Sequence, residues 1–171
     1  MNPEARLTAQ HCRSVTDEIA EWIGTDAARF AELVRIMEHG PAKIRPRAGW
    51  VVCTSGERHP RLAEAQYSAL LRILQSTPDT AVHRHIMKLF SLVSVPDIHA
   101  DAVFSAAVGL LSLPEEPVGV KAYAITVLGR MTRSMPELLP EIRALVSEHL
   151  PGQTAAYRSR ARREFGLGNA V

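Results

Sequence analysis

The sequence predicts an all-α protein of about four antiparallel helix pairs stacked behind an initial helix. Three observations lead there. Apolar residues recur at helical spacing, as in Leu70, Leu71, Ile73 and Leu74 or Leu138, Ile142, Leu145 and Val146. Strand-type alternation never lasts beyond a few residues. Helix breakers punctuate the chain at intervals, and one apolar pattern returns roughly every 38 residues.

The elements can be justified in order. Asn2 is placed to cap a first helix over 4–23, with Pro3 at its first position and Glu4 behind it. Its apolar set, Leu7, Val15, Ile19, Trp22 and Ile23, faces the stack. The second helix covers 26–39 and stops at Gly40-Pro41. Helices over 41–58 and 60–75 divide at Pro60, since proline suits the first turn of a helix and not its interior. Thr77-Pro78-Asp79 opens 80–94, Pro96-Asp97 opens 97–113, and the stretch from Pro114 to Pro117 opens 117–133. Pro136 starts 136–150, and Pro151-Gly152 leads into 154–165. Connections this short make consecutive helices antiparallel.

The repeat lies in every second helix. Its sets are Ile44, Ala48, Val51 and Val52; Val82, Ile86, Leu89 and Phe90; Val120, Ala124, Val127 and Leu128; and Tyr157, Ala161 and Phe165. The first members stand 38, 38 and 37 residues apart. One domain over 1–171 thus divides into units of about 26–58, 60–95, 97–135 and 136–166 behind 1–25. Glu164 takes the place of an apolar residue in the last set, which reads as the polar outer face of a terminal repeat.

A helix-turn-helix unit with this period marks an α-solenoid. After the first apolar anchor comes a basic residue, then a small one three further on: Ile44-Arg45…Ala48, Val120-Lys121…Ala124 and Tyr157-Arg158…Ala161. That pattern resembles HEAT repeats; Val82-His83…Ile86 departs from it. The chain from about residue 5 to 167 also resembles a group of bacterial HEAT-like proteins, most recognisably in RAGWVV (47–52), EEPVGVKAYAITVLGRM (115–131) and YRSRARREFG (157–166). The resemblance implies a HEAT-like α-solenoid, with second helices on the concave face, and implies no activity.

Composition narrows the classes further. Aromatics at 5% argue against a β-sandwich or barrel. Two cysteines, Cys12 and Cys53, exclude a disulfide scaffold. MNPEARLTAQ has no apolar run of a secretory signal, and no stretch approaches the roughly 20 apolar residues of a membrane span. The expectation is a cytoplasmic protein with no membrane partner. His83 and His85 diverge on a helix, the remaining histidines are scattered, and HExxH and CxxC are absent, so no metal site is expected. Gly109, Gly119 and Gly129 are isolated within helices, and Gly166-Leu167-Gly168 reads as a helix end; no nucleotide cofactor is expected. Ser134-Met135-Pro136 is similar to the signature loop of fumarase-type lyases, but Glu137, Leu138 and Leu139 replace what should follow. A DNA glycosylase of the alkylation-repair kind would need a concave carboxylate in mid-stack. The second helices carry only Glu57 and Glu164, one at each end. No enzyme is expected.

Charge is segregated. Counting Lys and Arg against Asp and Glu, the second-helix segments (41–58, 80–95, 117–135 and 154–166) carry +11, while the rest of the chain carries −9. A basic concave face and an acidic back follow if the solenoid geometry holds, which suits an anionic partner. An acidic protein or peptide is the leading candidate and nucleic acid the alternative. The candidate binding residues are Arg45, Arg47, Trp50, Arg84, Lys88, Lys121, Arg158, Arg160 and Arg162. Two readings stand for Arg45, Lys121 and Arg158: ligand contact, or a structural ladder paired with Asp79, Glu115 and Glu116. Trp50 is either a stacking platform or packing between repeats.

Overall fold

A computed structural model describes residues 1–167. Gly168, within the helix end read from the sequence, lies outside the described residues. Among those residues are eleven α-helices, two 3-10 turns and no strand. The helices are α1 (Pro3–Ala9), α2 (Arg13–Ile23), α3 (Ala27–His39), α4 (Arg45–Arg58), α5 (Pro60–Glu64) and α6 (Tyr67–Ser76). Then come α7 (Thr80–Leu92), α8 (Ala100–Ser112), α9 (Val118–Met131), α10 (Leu139–Glu148) and α11 (Ala155–Phe165).

Two expected helices are each divided. The helix read over 4–23 breaks between Ala9 and Arg13, where Gln10 is extended and Cys12 occupies the cap position of α2. No large apolar side chain lies between Leu7 and Val15, so burial does not hold a continuous helix through this stretch. The helix read over 60–75 breaks at Ala65-Gln66, which carries neither glycine nor proline. Pro136 and Asp97 open 3-10 turns before α10 and α8, and α4 begins at Arg45 because residues 42–44 form a turn. The caps follow the residue types: Asn2, Asp26, Asp79 and Thr154 each accept from backbone N–H groups of the first turn they precede.

The helices group into two compact units, Met1–His99 and one that begins at Ala100. In the first, α4 is the centre, packed against α2, α3, α5 and α7. Its core includes Ile19, Phe30, Leu33, Ile36 and Met37, with Val51 and Val52 from α4 and Ile86 and Phe90 from α7. Tyr67 is fully buried, stacks on Phe90 at 4.6 Å and donates from its hydroxyl to Ser94 O at 2.9 Å. α7 comes so close to α4 that a Cβ on Gly56 would lie 2.8 Å from Leu89 Cδ1.

In the second unit α9 holds the centre, between α8 and α11. Val103, Ala107 and Leu111 pack with Val120, Ala124, Ile125, Val127 and Leu128, and with Tyr157, Ala161 and Phe165 of α11, all buried. Tyr157 donates to Val146 O at 3.3 Å, and burial pushes its phenol up to about 12.

Every apolar member of the four repeat sets, from Ile44 to Phe165, is buried. A charge in such a set would be dry and unpaired. Ile86, 1% exposed, is the test position. Ile86→Asp is expected to cost roughly 4 kcal/mol or more, comparable with the whole stability of a small domain. A thermal melt checks it: the variant should be unfolded or melt far below the wild type.

Candidate functional site

The residue after the first anchor does the same work in three repeats. Arg45 Nε donates to Gly40 O at 2.9 Å, at the C-terminal end of α3. Lys121 Nζ donates to Pro114 O at 3.4 Å, and only 5% of the residue is exposed. His83 Nε2 lies 2.8 Å from Thr77 O, and since a carbonyl only accepts, that nitrogen carries a proton. Each side chain thus reaches back from the second helix and fastens the turn that leads into it. The acidic ladder expected for Arg45 and Lys121 is replaced by backbone carbonyls, because turn carbonyls at a helix end need donors. Asp79 instead caps α7, Glu115 is exposed, and Glu116 is buried. His83, which departs from the repeat by residue type, follows it by geometry. In the fourth repeat Arg158 is exposed and makes no side-chain hydrogen bond among the described residues.

The other candidates divide by unit. In the first unit Arg47 Nη1 donates to Leu7 O at 2.7 Å. Trp50 is half-buried, with the His11 ring edge-on at 5.4 Å and 75°. Lys88 lies 3.9 Å from Glu57. Arg84 is exposed and has no side-chain hydrogen bond or ion pair among the described residues. Cys53 is buried, and burial pushes its thiol up to about 11, which suits packing rather than reactivity.

In the second unit Arg160 donates to Thr126 Oγ1 at 3.1 Å, with its guanidinium 5.7 Å from the centre of the Tyr123 ring. That fixes its orientation and leaves it half-buried. Arg162 is exposed.

Glu164 corrects an expectation. Its side chain is only 3% exposed, and it does not form a polar outer face. The carboxylate accepts from Arg133 at 2.8 Å and from Arg163 at 2.6 Å. The side chain lies across Gly129 of α9, where a Cβ would stand 2.6 Å from Glu164 Cβ. Residue type alone does not mark this clamp. The one cue in the sequence is a glycine in the last turn of an apolar helix. Glu57 and Glu164, the acids of the second helices, both lie beside cations. Among the described residues no three His, Cys, Asp or Glu side chains converge on a metal-sized site. No helix there is long and apolar enough to cross a membrane.

Two predictions follow from this geometry. Gly129→Ala should cost about 1–3 kcal/mol through overpacking against Glu164. Gly109→Ala, in open space on α8, should stabilise by roughly 0.5–1 kcal/mol through helix propensity. Chemical denaturation of the pair separates the close approach from a general effect of glycine.

The second concerns His85 on α7. Burial first, then the charges of Arg84 and Lys88 and the nearby His11, bring its imidazole down to about 4, against a smaller opposing effect of Asp79. The unfolded chain takes up a proton there near pH 6.5. His85 therefore supports the fold fully above that pH and progressively less as pH falls to about 4. The loss is roughly 3 kcal/mol. Denaturation midpoints between pH 7 and 4 should fall in the wild type and fall less in His85→Gln.

Compared with known families, the sequence matches the HEAT repeat domain over residues 4–163. No curated protein and no solved structure matches it. HEAT repeat domains are in general non-catalytic scaffolds for protein interaction. The match runs through both compact units and takes in all but the last of the buried repeat positions. This chain belongs to the HEAT repeat domain family.

Proposed function

We propose that the chain is a non-catalytic, cytoplasmic binding module, a single HEAT-like domain whose second helices engage an acidic protein or peptide. The observation that carries this reading is the charge segregation, +11 on the second-helix segments against −9 elsewhere. Clustered positive charge attracts anionic partners whatever the net charge. The bonding of the cations favours an acidic protein over nucleic acid. Arg45, Arg47, Lys121 and Arg160 are held by groups of their own unit. Arg133 and Arg163 share the single carboxylate of Glu164, which offsets one of their two charges. The exposed cations that remain, Arg84 and Arg158 foremost, suit a few discrete carboxylates better than the roughly 6–10 phosphate contacts of strong duplex binding.

The test is a salt titration of binding to a short glutamate-rich peptide, duplex DNA and RNA. The double variant Arg84→Ala/Arg158→Ala removes one exposed cation from each unit. It should bind the peptide roughly tenfold more weakly at low salt, with a shallower salt dependence and an unchanged melt. Arg45→Ala should lower the melting temperature, because it strands the Gly40 carbonyl, and leave affinity unchanged. Peptide binding that the double variant retains in full overturns the assignment. Tighter binding to DNA, with a log–log slope near −0.9 per phosphate, would make nucleic acid the partner.

A further inference from the structure

α1 is the least secured helix of the first unit. It has seven residues, too few to persist alone in water. Only Pro3 and Leu7 are buried. Two polar fastenings hold it. Arg6 makes a two-pronged pair with Glu18 of α2, at 2.7–3.1 Å and largely open to solvent. Arg47 of α4 donates to Leu7 O at 2.7 Å, a last-turn carbonyl with no partner inside α1. Just after α1, His11 sits edge-on to Trp50. The cation and the aromatic in the first turns of α4 are thus both occupied by α1 and the turn behind it.

We propose that α1 is a displaceable cover over the Arg47–Trp50 end of α4, and that an acidic partner must move it to reach that end. This rests on the reading above that the second helices, α4 among them, engage an acidic partner; Arg47 joins the exposed cations only once Leu7 O has left it. The exchange is chemically favourable at Arg47: a carboxylate replaces a neutral carbonyl as acceptor, giving the stronger charge-assisted hydrogen bond. Leu7 and the Arg6–Glu18 pair oppose it. If the cover is closed in nine molecules of ten, the apparent affinity is about tenfold below that of the open face.

The test uses the full chain with Trp22→Phe, so that Trp50 alone reports. Arg6→Glu breaks the fastening to Glu18 and places two carboxylates together. It also removes positive charge, so simple electrostatics predicts weaker binding to the glutamate-rich peptide. A displaceable cover predicts the opposite: roughly tenfold tighter binding, faster amide hydrogen exchange over residues 3–9, and stronger acrylamide quenching of Trp50. The charge swap Arg6→Glu/Glu18→Arg, which restores the pair, should return all three to wild-type values. Leu7→Asp, which removes the buried anchor, should reproduce the opened state. Opened variants that bind no tighter than the wild type overturn the cover while leaving the acidic partner standing. Exchange over 3–9 and quenching that no variant changes overturn it as well. Absence of peptide binding in every variant, opened ones included, overturns the acidic partner and the cover with it.

Discussion

A helix enclosed on several sides has to be thin, and both units are built around one. α4 buries a run that includes Ala48, Gly49, Cys53, Ser55 and Gly56; α9 buries Ala122, Ala124 and Gly129. Neighbouring helices can approach only because these residues are small: Leu89 lies over Gly56 and Glu164 over Gly129. The rings on the central helices, Trp50 of α4 and Tyr123 of α9, are only half-buried. The few that are buried, such as Phe30, Tyr67, Phe90 and Tyr157, sit on the surrounding helices. With so much of each central helix occupied, its charged residues fall on the narrow remaining strip or at the helix ends.

The fold was legible because it rests on periodicity. Burial of the repeat sets follows from residue type at helical spacing, and the capping role of Asn2 follows from its position before a helical pattern. The breaks at 10–12 and 65–66 were not legible, because neither glycine nor proline marks them. The internal bonding of the candidate face was hidden for a different reason. A count of charges does not say which acceptor each cation has, and Arg47, Lys121 and Arg160 have acceptors that only the folded chain brings within reach. His83 shows the converse. It breaks the residue pattern and still places a ring N–H on the carbonyl of the turn before its helix.

The clamp around Glu164 sharpens what kind of surface the second unit presents. Arg133 and Arg163 are each more than half exposed, yet both point a donor at one nearly buried carboxylate. Their outward atoms remain available for hydrogen bonding, while Glu164 offsets one of their two charges. Arg158 on the same helix stays exposed and makes no side-chain hydrogen bond among the described residues, and Arg162 is exposed as well. α11 thus combines cations that organise the end of the unit with cations that face solvent.

The turn fastenings have a consequence for ionic strength. Arg45 and Lys121 donate to neutral carbonyls within their own units, so no pair of opposite charges is there for salt to screen. Surface attraction between Arg84 or Arg158 and an acidic partner has no such protection. The same residue types therefore serve two regimes: joints that hold their register in concentrated electrolyte, and a surface whose grip loosens in it. Concentrated salt could strip a bound partner while leaving these turns closed.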